Sequence, residues 1–487
     1  MTALADLSAC ELRRRVALRE VSAVEVVEAC LDRVERANPT INALVTLNPR
    51  ALDDARDLDR RMAGGEDPGP LCGLPVGIKD VTPVAALRTT FGSPRYADYV
   101  PDEDALVVRR VREAGAIILG KTNCPEFAAG GNTFNEVFGR TRNPWDPARS
   151  AGGSTGGGAA ALATGMIALA EGTDLGGSLR IPASFCGVVG LRPSIGLVPS
   201  DPSDWVWDTL QVSGPMARTA EDVALMLQVI AGQSAYAPLS RSIAGRDFVA
   251  AVNAGIGRGL RVAYCADPSR IGIEPAVEQR CRSAAFALAD AGAVVEEIDV
   301  DLSTARAAFI ALRGHWFVTH HARRLWTARA KFTEARGQWL VSDEVQRNAL
   351  DLFGTNVANN LRAGIETSTR DLALAEQERG RIWHLFRELF ARFDHVVTPC
   401  MAVAPFAVEQ SHPHTIAGRE MPTYVDWIAP TFVLSLTGLP VAAVPCGLDQ
   451  DRMPVGLQIV GGPNGEERVL ALAKAVQTRH PIGLPQR

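Results

Sequence analysis

Residues 149–187 read RSAGGSTGGGAAALATGMIALAEGTDLGGSLRIPASFCG, and the texture of this stretch changes three times. A glycine-rich turn runs past Ser154 into an alanine-rich segment, which predicts a helix start. The apolar run 167–170 then reads as a buried strand. A second glycine-rich turn carries Ser178 into a segment with Pro182 early, where a first helical turn tolerates it. Strands alternating with helices predict an α/β core.

The same alternation extends outward in both directions. Pro75-Val76-Gly77-Ile78-Lys79 and residues 116–119 read as further buried strands, with helical patterns at 104–114 and 219–231. Upstream, Ser8 with Glu11 and Ser22 with Glu25 match capping boxes ahead of helices at 11–18 and 23–37. The second of these helices should stop near Asn38-Pro39, and a third should cover 49–63. Downstream, 259–265 reads as strand, 274–291 as helix, and 305–392 as long, helical and arginine-rich. The arginines of 306–336 recur at helical spacing and should form a solvated face. Strand texture returns at VVTPC (396–400) and LPVAAVPCG (439–447), followed by a helix at 466–478. The late strands look like returns to the first sheet. The expected architecture is therefore one large α/β/α layered domain over 1–487, with a central mixed, largely parallel sheet flanked by helices. Within it, 1–65 holds N-terminal helices, 66–235 the core that carries both glycine-rich turns, and about 300–392 a helical insertion.

Composition excludes several classes. The 487 residues are 47% hydrophobic and 22% charged with a net charge of −5, which rules out disorder, collagen and coiled coil. A mild acidic excess without a long basic run argues against a nucleic-acid partner. The N-terminus has no apolar h-region, so no signal peptide is expected. Nine scattered cysteines without a C-x-x-C pair suggest neither disulfides nor a zinc ribbon, and a reduced cytoplasmic setting follows. Cys186 and Cys446 read as core. The span 150–170 is uncharged and of membrane-crossing length, yet AGGSTGGG is too polar and flexible to face lipid. His320-His321 and His412-x-His414 lack matching carboxylate or cysteine spacing, so no metal and no cofactor are expected.

The two glycine-serine junctions present free backbone N–H groups and a positive helix end, suited to anions or a developing oxyanion. A phosphate loop would need Lys-Ser/Thr after the glycines, where Ala159-Ala160 stand. The span 152–156 matches G-x-S-x-G, but that elbow should follow a strand, and Asn143-Pro144-Trp145-Asp146-Pro147 reads as loop. The third reading is a serine activated by a buried neutral lysine. Lys79, ending an apolar strand, has that setting, although alone it would read as a solvated strand end. Asp80 should point to the opposite face. All eight histidines lie at or after His315, and twelve of the 44 glycines fall between Gly152 and Gly196.

G-I-K-D (77–80), A-G-G-S-T-G-G-G (151–158) and G-T-D-L-G-G-S-L-R-I-P (172–182) resemble the amidase signature family. The likeness extends through G-K-T-N-C-P-E-F (120–127), R-N-P-W (142–145), C-G-V-V-G-L-R-P-S (186–194) and P-V-G-L-Q-I-V-G (454–461), and so covers nearly the whole chain. It implies a Ser–cis-Ser–Lys triad with Ser178 as nucleophile, Ser154 as bridging serine on a cis peptide and Lys79 as base. It further implies an oxyanion hole at the N–H groups of Leu175, Gly176, Gly177 and Ser178. Thr155, Thr173, Asp174 and Arg180 would brace the loops, with an Asp174–Arg180 ion pair. Phe127–Gly131, including Ala129 and Gly130, would line the acyl pocket, and Trp205 and Trp207 could wall it or pack on the surface. Thr155 departs from the second serine many members carry there.

The implied activity is that of a serine amidohydrolase acting through an acyl-enzyme. The substrates left open are linear or cyclic amides and carbamates, and the assembly expected is a monomer or homodimer with a small-molecule substrate. The alternatives are the glutaminase component of a tRNA-dependent amidotransferase and an α/β-hydrolase esterase. That glutaminase usually carries an aspartate for the glutamine ammonium shortly before Gly-Leu-Pro. Here Ile428-Ala429-Pro430-Thr431 is uncharged, and Asp426 is slightly displaced.

Overall fold

A computed structural model of the chain describes residues 3–327, 350 and 352–485. Its frame is an eleven-stranded sheet. In spatial order the strands are Leu44–Leu47, Ile117–Thr122, Pro75–Lys79, Leu169–Asp174, Val212–Ala217, Val189–Arg192, Val441–Leu448, Pro454–Gly461, His395–Pro399, Arg261–Tyr264 and Val294–Glu297. Pro75–Lys79 runs parallel to both of its neighbours, and Arg261–Tyr264 does the same near the other edge. The strands between these groups pair antiparallel. The result is the mixed sheet flanked by helices that the alternating pattern implied, and the late strands do rejoin it.

Pro75–Lys79, Ile117–Thr122 and Leu169–Asp174 are buried at every position. Strands covered on both faces read as continuous apolar runs, which is why they were visible in the sequence. Parallel neighbours end on the same edge of the sheet. Lys79 and Asp174, the last residues of two adjacent strands, are thereby brought together.

Several local expectations are corrected. The second helix runs Ala23–Ile41 and passes through Pro39 instead of stopping there. Its end is Asn42, in the left-handed conformation at φ 54°, while the Asn38 side chain accepts from the N–H groups of Ala43 and Leu44. The Ser22–Glu25 capping box forms in full, whereas at Ser8 only half of it does. The Glu11 carboxylate instead takes Arg14 and Arg15. Arg306 pairs with Asp426, but Arg313 is buried and bonded to Asn360 and Tyr424, so the arginine-rich helix does not present one solvated face. The side chains of Arg323 and Arg324, and residues 328–349 with Arg329 and Arg336, lie outside the described residues.

The uncharged stretch of membrane length is core instead. Its helix, Gly156–Thr164, is buried from Gly156 through Ala163. Among the described residues no helix is long and apolar enough to cross a membrane. Cys186 and Cys446 are buried free thiols.

Candidate active site

Lys79 is fully buried, not a solvated strand end. Its Nζ lies 2.7 Å from Ser154 Oγ and 3.0 Å from Thr173 Oγ1, with the Thr173 carbonyl at 3.4 Å. Burial of an ammonium is costly, so desolvation pushes Lys79 down to about 8 against the opposing pull of Cys124, Glu171 and Asp174. Asp80 takes the other direction, as alternation along a strand requires, and accepts from the N–H and hydroxyl of Thr90.

Ser154 stands in a turn that opens a helix. Gly152 has φ +73°, the Gly153–Ser154 peptide is cis, and Gly156–Thr164 follows directly. Thr133 braces this turn, its hydroxyl donating to the Gly152 carbonyl and accepting from Gly156 N–H. A side chain at Gly153 would meet Asn132 N, Gly130 O and Gly131 C at 3.0 Å, so Gly130 and Gly131 wrap the serine turn. Thr155 Oγ1 is buried without a partner among the described residues, and Gly172 leaves room for it.

Ser178 is half-buried, whereas Lys79 and Ser154 are sealed. Thr155 N–H donates to the Ser178 carbonyl at 3.2 Å, so the two serine turns are tied together. Among the described residues the Ser178 hydroxyl has no hydrogen-bond partner. The loop beneath it is held by Asp174. One carboxylate oxygen accepts from Gly177 N–H, Arg180 Nη2 and Arg192 Nη1, at 2.8, 3.0 and 3.2 Å. The other accepts from Leu179 N–H and Arg180 Nε, each at 3.1 Å. Burial alone would raise this carboxyl, but Arg180 and Arg192 outweigh it and hold Asp174 well below the usual carboxylate range. Arg180 reaches on to the Thr431 carbonyl, Gln458 Oε1 and Ser435 Oγ.

The Asp174–Arg180 pair was expected; Arg192, Gln458, Ser435 and Thr431 were not. One oxyanion expectation is corrected: the Gly177 N–H is spent on Asp174, because a charged acceptor outcompetes a neutral one. Among the described residues the N–H groups of Leu175, Gly176 and Ser178 have no partner. Gly177 has φ +127°, and a Cβ there would lie 2.2 Å from Thr431 Oγ1, so only glycine fits. All three charges of the Asp174–Arg180–Arg192 group are fully buried. Asp174→Asn should therefore lower unfolding stability by about 3–5 kcal/mol, since it leaves two buried guanidinium groups uncompensated. A urea titration followed by far-UV circular dichroism measures this, and a loss below about 1 kcal/mol would contradict it.

A cavity of about 390 Å³ adjoins the Lys79 side of the site. Thr173, Phe127 and Ala128 line it together with Phe91, Tyr99, Trp316, His320 and His321. Phe91 stacks on Phe127 at 5.9 Å, and His321 meets Phe127 edge-on at 4.6 Å. Ala129, Gly130 and Gly131 are not part of this wall: Asn356 Nδ2 donates to the Ala129 carbonyl, and Gly131 packs on Trp427 and Ile428. Trp205 packs against His315 and His320, while Trp207 is 61% exposed. The His320-His321 pair thus borders the cavity.

A family model described as Amidase matches residues 25–470. The chain belongs to the amidase signature family. A Ser–cis-Ser–Lys triad is typical of amidase signature enzymes, which hydrolyse C–N bonds. A component of the glutamyl-tRNA(Gln) amidotransferase of Carboxydothermus hydrogenoformans is 35% identical over 97% of this chain and 96% of its own length. An acylamidase of Rhodococcus erythropolis is 34% identical over 98% of this chain and 96% of its own length. A bacterial aryl acylamidase of the amidase signature family superposes with a TM-score of 0.89 and 26% identity, each chain covered completely. Family membership displaces the α/β-hydrolase alternative, and the structure agrees: Ser150 preceding the turn makes only an isolated bridge to Arg142, not a strand.

Proposed function

We propose that this chain is a free-standing serine amidohydrolase cleaving small amides with an apolar or aromatic acyl or amine part, through an acyl-enzyme on Ser178. The observation that carries this reading is the pairing of a sealed Lys79–Ser154 contact of 2.7 Å with a half-open Ser178 beside unspent N–H groups. Neutral Lys79 takes the Ser154 proton, Ser154 takes that of Ser178, and Ser178 Oγ bonds to the substrate carbonyl carbon. The oxyanion faces the N–H groups of Leu175, Gly176 and Ser178. As the C–N bond breaks, the nitrogen receives its proton from Ser154, which is resupplied by the Lys79 ammonium. Water then attacks the ester by the same route and releases the acid. Rotation of the Ser178 hydroxyl, which no hydrogen bond among the described residues restrains, closes the relay when substrate arrives. Thr155, Asp174 and Arg180 brace this arrangement without touching the reacting atoms, and Thr173 holds Lys79 Nζ through its hydroxyl.

The second reading, the glutaminase component of an amidotransferase, is favoured by the name of the relative at 35% identity. Against it, Ile428 presents an apolar side chain to Gly131. Asp426, the nearby carboxylate, is already engaged by Arg306 at 2.6 Å and by the N–H and hydroxyl of Thr423. Neither position offers a free acceptor for a substrate ammonium, and the cavity beside Thr173 sets Phe91, Tyr99, Phe127 and Trp316 alongside Asp201, Asp204, Gln211 and Ser213. The chain purified alone should hydrolyse anilides and simple aryl or alkyl amides and leave glutamine untouched. Glutamine hydrolysis that appears only with partner proteins would overturn the proposal.

A further inference from the structure

Glu171 is a fully buried carboxyl group that the reaction just described does not use. It lies on the Leu169–Asp174 strand two residues before Thr173, and alternate residues of a strand share a face. Thr173 holds the Lys79 ammonium, and Glu171 lies one step behind it. Its Oε2 accepts the Lys79 backbone N–H at 3.3 Å, and its Oε1 accepts the Thr82 hydroxyl at 3.1 Å. Thr82 continues the chain of contacts, because its carbonyl accepts from Lys121 Nζ, which also donates to Thr89 Oγ1 at 3.1 Å. Lys121 is itself fully buried, on the neighbouring strand Ile117–Thr122. Glu171 is thus tied directly to the backbone of one buried lysine, Lys79, and through Thr82 to a second, Lys121.

A carboxylate in the interior is costly unless something charged repays it. Among the described residues the titratable groups facing this cluster are Cys124 from the loop after Ile117–Thr122, Asp80 and Asp104 near Lys121, Asp174 on the strand of Glu171, and the two lysines; Asp104 is paired with Arg112. Asp174 is committed to Arg180 and Arg192, and Asp80 to Thr90 and Lys121. Among the described residues Glu171 is therefore the carboxyl group left to face Lys79.

On the reading that Lys79 is the base, we propose that Glu171 is a positioning residue that anchors the Lys79 strand end. With Lys121 it forms an opposed pair of buried charges that sets the pH at which Lys79 can accept a proton. The signs are opposite for the two partners. A carboxylate nearby favours the Lys79 ammonium, and a second ammonium disfavours it. Burial pushes Glu171 up and Lys121 down to about 8, while the lysines pull Glu171 back toward its ionised form.

The test is the pH profile of kcat/KM for amide hydrolysis in the full chain. Glu171→Gln should move the acid limb to lower pH by about one unit, and Lys121→Met should move it to higher pH by a similar amount. Limbs that stay in place, or that move in the same direction, would overturn the proposal, since loose packing alone has no reason to give opposite shifts. Should Glu171→Gln not fold, Lys121→Met decides alone: a raised limb supports the pair and an unmoved one refutes it. The parallel variant Lys79→Met separates this result from the base assignment. If Lys79→Met keeps both activity and acid limb, the base assignment fails. If it is inactive while the other two limbs stay in place, only the role of Glu171 and Lys121 fails.

Discussion

Ser178→Ala is expected to lower kcat/KM for an anilide by about 10⁴-fold or more and to abolish labelling by a fluorophosphonate. The size of the effect follows from the covalent step, since among the described residues no other hydroxyl stands half-open beside the unspent N–H groups of Leu175, Gly176 and Ser178. Ser154, the other serine of the site, is fully buried against Lys79 and cannot take over as nucleophile. The Ser178 side chain makes no hydrogen bond among the described residues, so its removal should change stability by less than about 0.5 kcal/mol. Catalysis would then be lost from a fully folded protein, which a melting curve recorded beside the kinetics checks. Labelling that persists at another serine would refute the assignment.

Lys79→Met should cost about 10³–10⁴-fold in kcat and remove the acid limb of the pH profile. In the intact enzyme the base must be neutral to accept a proton. Burial sets Lys79 at about 8, so kcat/KM should rise about tenfold per pH unit below that value and level off above it. The position of the limb matters here: a carboxylate base would place it near about 4 and an ordinary histidine near about 6.5. Methionine keeps the length and apolar stem of lysine while removing the nitrogen that meets Ser154 and Thr173. A variant with near-normal kcat and an unchanged limb would mean that another group accepts the proton. The eight histidines, all at or after His315, are the natural suspects, and His320 and His321 border the cavity. Their replacement is expected to alter KM far more than kcat.

Much of this was legible in the sequence because the relevant signals are local. Pro75–Lys79 announced itself as a strand through an unbroken apolar run, a consequence of burial on both faces. Lys79, Ser154 and Ser178 stood out because each sits at the end of a strand or the opening of a helix, where composition changes abruptly, and their roles came from the resemblance to the amidase signature family. The misses arise where distant segments meet. Nothing near Asp174 announces Arg192, which reaches it, or Gln458 and Ser435, which reach Arg180, only after the sheet has folded. The Gly177 N–H looked available because its competitor, the Asp174 carboxylate three residues earlier, turns back on the loop only in three dimensions. The aromatic wall draws Phe91, Phe127 and Trp316 from segments with no shared pattern. Pro39 misled for a simpler reason: the helix end lies three residues on, at Asn42, whose left-handed backbone is the actual stop.

The central claim, that this chain alone forms an acyl-enzyme on Ser178, is tested most directly by quenching turnover of an aryl amide with acid and mapping the acyl mass by peptide mass spectrometry. The expected result is a mass increase equal to the acyl group, confined to the peptide that contains Ser178, with no partner protein present. An acyl group on any other residue, or turnover of the amide with no acylated peptide and an intact Ser178→Ala activity, would contradict it.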